Sequence, residues 1–190
     1  MPNNISDEYL FIDFEVSKGG KIYDIGAIRG EEALRLESSS AQHLKRLEQF
    51  AKGAKAVVGH NIVGHDLEFL RSEDSENEIL DLPAIDTLFL SPICFPENPY
   101  HRIIKDYKLV KDSLNDPVAD AKRAAVVFID ELNELKNIKD SNETLASIYA
   151  TCLQGEGMEP KAVEGFDYLF SSLKIKTLKK DNWAKAVRKI

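Results

Sequence analysis

One short stretch near the start of the chain, Leu10–Val16, constrains the fold more than any other. Apolar residues at positions 10, 12, 14 and 16 alternate with Phe11, Asp13 and Glu15. This period of two predicts a β-strand that carries both carboxylates on one face. The opposite face is wholly apolar, which is typical of a strand in the interior of a sheet.

Two carboxylates on an interior strand are costly unless something neutralises them, and two interpretations follow. A hard divalent cation with oxygen ligands is the usual neutraliser of paired carboxylates. The alternative is that Asp13 and Glu15 lie at a strand end or an edge, where both acids face water. This stretch alone leaves both interpretations open.

The next hundred residues alternate between strand-like and helix-like patterns. The predicted elements are a hairpin partner at Ile22–Ile28, a weaker strand at Ala33–Glu37, a helix that any of Ser38, Ser39 and Ser40 could cap and that ends near Gly53, a buried strand at Ala56–Gly59 and a helix through Leu67–Leu70. The acidic stretch from Ser72 to Asp81 is predicted to be a solvated loop. The segment Ala84–Leu90 is expected to return to the core, and Pro92, Pro96 and Pro99 predict an extended connection.

The best helix signal comes after residue 115. Asp116 is a typical N-cap, Pro117 suits the first helical position, and apolar residues recur at spacings of three and four as far as Leu135. The order of elements predicts an α/β domain over residues 1–139. Residues 140–190 are predicted to form a separate helical extension at the C-terminal end.

Composition excludes several classes of protein. No apolar run is long enough to span a bilayer, the start of the chain lacks a signal-peptide pattern, and Cys94 and Cys152 form no spaced cluster. A cytoplasmic protein without a membrane partner is therefore expected. The net charge of −7 does not by itself indicate a nucleic-acid binder. Metal ions held by an acidic site would, however, invert the local field.

Acids occur at three separated places along the predicted fold. Asp13 and Glu15 lie on the first strand, Asp66 follows the turn after a buried strand, and Asp120 lies in the first turn of the long helix. Each has an ordinary structural explanation, as a strand-end residue, a helix cap or a partner of the helix dipole. Together they match a two-metal site, which needs carboxylates from different elements around ions about 3.5–4 Å apart.

In this order, Ile12-Asp13-Phe14-Glu15, the Gly59-His60-Asn61…Asp66 segment and the Asp120-Ala121 helix resemble the motifs of the DnaQ-like (DEDD) 3′–5′ exonucleases. That family has the ribonuclease H-like fold, a mixed sheet flanked by helices. The resemblance covers about Tyr9 to Leu135. In finer detail, the segments Ala84–Leu88, Tyr100–Leu109 and Asp112–Ala121 are similar to exonuclease domains fused to bacterial RecQ-type helicases, which are involved in DNA repair.

The resemblance implies a catalytic role for four acids, Asp13, Glu15, Asp66 and Asp120, which would bind two Mg²⁺ or Mn²⁺ ions. The implied substrate is a single-stranded 3′ end of DNA or RNA, and a helicase or other domain is an implied partner. Phe14, Asn61 and Asn115 are the implied substrate contacts. The alternation of the first strand nevertheless places Phe14 on the apolar face, where it is expected to be part of the core.

The chain departs from the family at the general base. Family members usually carry a His five residues before the last Asp, or a Tyr four before it, and here those positions hold Asn115 and Asp116. Asn cannot take a proton at neutral pH, and Asp116 is already predicted to be an N-cap. His101 is a substitute candidate.

Loss of a positioned base costs roughly 10²–10⁴-fold, so weak or conditional nuclease activity is expected. The alternatives are a nucleic-acid-binding or docking module of a larger helicase-type protein, and a small protein whose acids are surface features.

Overall fold

The computed structural model describes residues 6–98, 101, 116–155, 157–179 and 187. Its strands are β1 (Tyr9–Val16), β2 (Ile22–Arg29), β3 (Glu32–Leu36), β4 (Ala56–Gly59) and β5 (Ala84–Asp86). They form one sheet in the order β3-β2-β1-β4-β5. Strands β1, β2 and β3 pair antiparallel, whereas β4 pairs parallel with β1 and β5 pairs parallel with β4. The predicted hairpin and third strand are therefore confirmed.

The helices are α1 (Ala41–Ala51), α2 (Asp66–Glu73), α3 (Thr87–Cys94), α4 (Pro117–Ser141), α5 (Glu143–Leu153) and α6 (Pro160–Ser172), with a 3₁₀ helix at Glu78–Asp81. Helix α4 packs on β1 and β2, α6 packs on β5, and α1 and α2 contact strands β1 to β3. The α/β class and a mixed sheet flanked by helices are confirmed. None of the described helices combines the length and the apolar character needed to cross a bilayer.

Aromatic contacts show which face of the sheet α4 and α6 cover. The ring of Phe128 on α4 lies edge-on to Tyr9 and Phe11, with centroid distances of 5.0 and 5.8 Å. Tyr168 on α6 lies edge-on to Tyr9 as well, at 6.3 Å. Because side chains alternate along β1, the face under α4 is also the face that carries Asp13 and Glu15.

Helix α4 begins as the sequence predicts and continues further. Asp116 is its N-cap and Pro117 occupies the first turn. The helix runs to Ser141, so the predicted division at residue 139 falls inside it. Beyond α4, α5 packs on α4 and α6 packs on β5. Buried residues of α6, such as Phe166 and Phe170, join the same hydrophobic core as the strands.

The extended connection predicted from Pro92 onward is wrong at its start. Pro92 lies inside helix α3. The segment Ala84–Leu90 does return to the core, as predicted, as strand β5 followed by the first turn of α3. Asp86 caps α3 by accepting a hydrogen bond from the Leu88 N–H. Pro92 removes only one backbone hydrogen bond from this short helix. Burial of Leu90 and Cys94 against the core offsets that loss.

The solvated loop predicted over Ser72–Asp81 is also wrong in its second half. The 3₁₀ helix buries Ile79 completely and leaves Leu80 only 9% exposed. The buried Asn77 side chain caps it by accepting from the Ile79 N–H, and Glu48 of α1 accepts from the Glu78 N–H at 3.0 Å. Two apolar residues therefore anchor this acidic stretch to the core.

Candidate metal centre between strand β1 and helix α4

Strand β1 and helix α4 bring three of the predicted acids together. One carboxylate oxygen each of Asp13, Glu15 and Asp120 lies within 4.8 Å of the other two. Asp13 and Glu15 are partly exposed, whereas Asp120 is 5% exposed. The cluster is thus open to solvent on the strand side and closed on the helix side.

The alternation of β1 and the buried stripe of α4 explain why these acids meet. Asp13 and Glu15 share their face with Phe11, whose ring packs on Phe128 of α4. Asp120 lies two helical turns before Phe128, on the stripe of α4 that is buried against the sheet. The packing that fixes Phe128 over Phe11 therefore places Asp120 over the later residues of β1.

Two positive features lie next to Asp120. It is in the first turn of α4, where the helix dipole is equivalent to about half a positive charge. The Nη1 atom of Arg123, one turn further along, donates a hydrogen bond to its Oδ1 atom. The Arg123 side chain is 38% exposed. The negative charge of Asp120 is therefore partly balanced from within its own helix.

Asp66 lies beside β1 but outside the group of three. Its Oδ1 atom accepts a hydrogen bond from the backbone N–H of Phe14 at 2.7 Å. This N–H needs a partner because β4 ends at Gly59, next to the carbonyl oxygen of Ile12, so that β1 continues past its neighbour. Asp66 therefore closes the open edge of β1 at the peptide between Asp13 and Phe14.

His65 links Asp66 electrostatically to the other acids. Its Nδ1 atom lies 3.6 Å from the Oδ2 atom of Asp66. The neighbouring Asp66 carboxylate is the main cause that raises the pKa of His65, and the charges of Asp13 and Glu15 contribute to the same shift. Burial raises the pKa of Asp66, and His65 opposes that rise. A half-exposed imidazole thus lies near the acidic region, at the N-cap position of α2.

The loop that delivers Asp66 is held by Asp86, a residue that the sequence reasoning missed. The Asp86 carboxylate is 1% exposed and accepts backbone hydrogen bonds from Asn61 at 2.8 Å, Val63 at 3.2 Å and Leu88 at 2.9 Å. Burial raises the pKa of Asp86, and these three N–H donors oppose the shift. The available signal was an acid within the mostly apolar segment Ala84–Leu90, which the sequence predicts to return to the core.

Asn61, predicted as a substrate contact, has an exposed side chain and a backbone φ of +63°. Asparagine tolerates this left-handed conformation better than most residues. Phe14, by contrast, is 3% exposed, as its place in the strand alternation predicts. A side chain so deeply buried has almost no surface to offer a substrate.

The two candidate bases occupy different environments. The Oδ1 atom of Asp116 accepts hydrogen bonds from the N–H groups of Val118 and Ala119, both at 3.2 Å. The backbone of His101 lies close to the imidazole of His60. Among the described residues, the Nδ1 atom of His101 is buried without a partner. Asn115, and the Tyr100–Leu109 segment apart from His101, lie outside the described residues.

His60 itself has a structural environment. Its Nδ1 atom lies 2.8 Å from the hydroxyl of Thr87, and burial lowers its pKa. It therefore ties the end of β4 to the start of α3.

The donor set of the three-acid group fits a hard divalent cation. All three ligands are carboxylate oxygens, which suit Mg²⁺ or Mn²⁺, and no nitrogen or sulfur ligand belongs to the group. Comparison of the chain with models of known protein families, with curated proteins and with solved structures found no match.

Proposed function

We propose that this chain is a metal-dependent 3′–5′ exonuclease domain of the DnaQ-like (DEDD) type with a ribonuclease H-like fold. It hydrolyses phosphodiester bonds at single-stranded 3′ ends of DNA or RNA. The single observation that carries the proposal is the approach of Asp13, Glu15 and Asp120 to within 4.8 Å of one another, from a strand and a helix that are distant in sequence. A cytoplasmic location and a helicase or other partner domain belong to the same proposal.

In this proposal Asp13, Glu15 and Asp120 hold Mg²⁺ or Mn²⁺. A bound metal acidifies water and stabilises the negative charge that develops on a phosphodiester. Asp66 shapes the site from the edge of β1 through its hydrogen bond with the Phe14 amide. Asn61, exposed on the loop that leads to Asp66, is available to contact substrate.

The activity is expected to be weak. Asp116, which occupies one of the two positions where the family carries its base, uses one carboxylate oxygen to cap α4. Loss of a positioned base costs roughly 10²–10⁴-fold in rate, although metal chemistry can proceed without one.

Two observations favour a second function, that of a nucleic-acid-binding or docking module that has lost turnover. Asp66 stands outside the three-acid group and is engaged by the Phe14 amide. Asp116 is engaged by the first turn of α4. The hydrogen bonds that each acid accepts from the backbone explain its presence without any role in catalysis.

One assay separates these functions. The purified chain is incubated in Mn²⁺ with 5′-labelled single-stranded DNA and RNA, beside Asp13→Ala and the control Asp130→Ala, which removes an exposed acid from α4. Stepwise shortening that only Asp13→Ala abolishes supports the exonuclease. Thermal stabilisation by Mn²⁺ without shortening, lost in Asp13→Ala, supports the binding module. If neither shortening nor stabilisation occurs, both proposals are wrong.

A further inference from the structure

Helix α4 approaches the sheet very closely at Gly26 of β2. A Cβ atom at this position would lie 2.1 Å from the carbonyl carbon of Pro117 and 2.3 Å from the nitrogen of Val118. Both are backbone atoms, so no change of side-chain rotamer could make room for it. The first turn of α4 therefore rests directly on the backbone of β2.

Gly26 is also the residue directly opposite Asp13 in the antiparallel ladder between β1 and β2. Directly opposed residues share a face of the sheet, so α4 meets the sheet beside Asp13. Asp120 follows Pro117 by one helical turn. The contact at Gly26 thus fixes how closely Asp120 can approach the two acids of β1.

A methyl group at Gly26 would force the first turn of α4 to retreat. Ordinary van der Waals contact begins at 3.4 Å, so the Pro117 backbone would have to move by about 1 Å. Ligand distances to Mg²⁺ are about 2.0–2.1 Å with near-ideal geometry, so a displacement of that size separates the carboxylates from a shared ion.

We propose that Gly26 is a positioning residue of the candidate metal centre, because its missing side chain lets Asp120 reach Asp13 and Glu15. The inference rests on the proposed metal binding by these three acids. It extends that proposal to a residue with no donor atoms of its own.

The chain offers a matched control. A Cβ atom at Gly165 of α6 would lie 1.9 Å from the carbonyl oxygen and 2.3 Å from the carbonyl carbon of Ala84 on β5. This is an equally tight contact between a helix and a strand backbone. Neither α6 nor β5 carries a member of the three-acid group. Gly165→Ala therefore reproduces the packing defect without touching the elements that hold the acids.

The experiment measures the Mn²⁺ dissociation constant by titration calorimetry, and the melting temperature, for the parent, Gly26→Ala and Gly165→Ala. Both variants should melt at a lower temperature. Gly26→Ala should weaken Mn²⁺ binding at least tenfold, whereas Gly165→Ala should stay within twofold of the parent. Equal Mn²⁺ affinity in the two variants overturns the inference. Absence of Mn²⁺ binding by the parent overturns the proposed function itself, and the inference with it.

If either glycine variant fails to fold, a second pair of variants decides. Asp116→Ala removes the acceptor that caps the first turn of α4, whereas Asp116→Asn removes the same charge and keeps an acceptor. If the placement of this turn sets the site, Asp116→Ala should bind Mn²⁺ several-fold more weakly than Asp116→Asn. Equal affinities in this pair overturn the inference.

Discussion

Glu131, in the middle of helix α4, provides a test of how α4 packs against α3. Its side chain is completely buried. The hydroxyl of Ser91 on α3 donates a hydrogen bond of 2.6 Å to its Oε1 atom, and the Oε2 atom has no partner among the described residues. Burial raises the pKa of Glu131 from 4.5 to about 8. The carboxyl group is therefore expected to be mostly protonated in the native protein at neutral pH.

The sign of the effect on stability follows from proton binding. The native pKa lies above the unfolded one, so between pH 4.5 and about pH 8 the native state binds more protons at this site than the unfolded chain. The contribution of Glu131 to the free energy of unfolding is fully present below pH 4.5 and is lost as the pH rises through about 8. At about 1.36 kcal/mol for each pKa unit, the total change is about 5 kcal/mol.

Glu131→Gln removes this titration and keeps the shape of the side chain. The free energy of unfolding of the variant minus that of the parent should therefore rise by about 5 kcal/mol between pH 4 and pH 9. A buried amide N–H group without a partner adds a constant penalty of about 1–3 kcal/mol, which does not change the slope. All other titrating groups are common to both proteins and cancel in the difference.

Urea denaturation at one-unit intervals from pH 4 to pH 9 measures this difference. Glu134→Gln, one turn further along α4, shows what the loss of one charge from the same helix does by itself. A difference between Glu131→Gln and the parent that stays within about 1 kcal/mol over the whole range would refute the reasoning. It would mean that Glu131 has the same proton affinity in the native and unfolded chains.

Three further predictions concern the candidate site. Asp116→Asn should keep the nuclease activity of the parent, because Asn retains the helix cap, whereas Asp116→Ala should lower that activity. Loss of activity in Asp116→Asn would instead identify Asp116 as the base. Arg123→Gln should bind Mn²⁺ about fivefold more tightly, or roughly 1 kcal/mol, because it removes the cation beside Asp120. The control Lys122→Gln removes the same charge from the preceding residue, and an equal gain in Mn²⁺ affinity there would contradict this prediction. Asn115→His should raise the rate of shortening about tenfold or more if a base is what the site lacks, and an unchanged rate would contradict that account.

The elements that the sequence predicted best are those with strong local signals. Strand β1 is set by the alternation of Leu10–Val16, and the start of α4 is set by a capping Asp followed by Pro117. These patterns act through the backbone of adjacent residues. Tertiary packing reinforces them rather than competes with them.

The failures occur where packing overrides a local signal. Pro92 argued against a helix, but the cap from Asp86 and the burial of Leu90 keep α3 helical around it. The acidic composition of residues 72–81 argued for solvent, but Ile79 and Leu80 reach the core. In both cases a few buried apolar side chains outweigh the average character of the segment.

In the candidate site, too, local patterns predicted some positions and tertiary packing decided another. Asp13, Glu15 and Asp120 could be grouped from the sequence, because a strand face and a helix start were both predicted at the right positions. The separate place of Asp66 could not be predicted. It depends on β4 ending at Gly59 while β1 continues, which is a property of strand lengths in the assembled sheet rather than of any motif.

The local charges around Asp120 bear on how the two proposed functions are to be separated. The helix start and Arg123 both lower the electrostatic cost of grouping Asp120 with Asp13 and Glu15, so part of the repulsion among these acids is offset without a metal ion. A single metal ion that binds only the native state adds about 2.7 kcal/mol of stability at a hundred times its dissociation constant. That increment, present in the parent and absent in Asp13→Ala, measures metal binding by the acids separately from the electrostatic balance of Asp120 within α4.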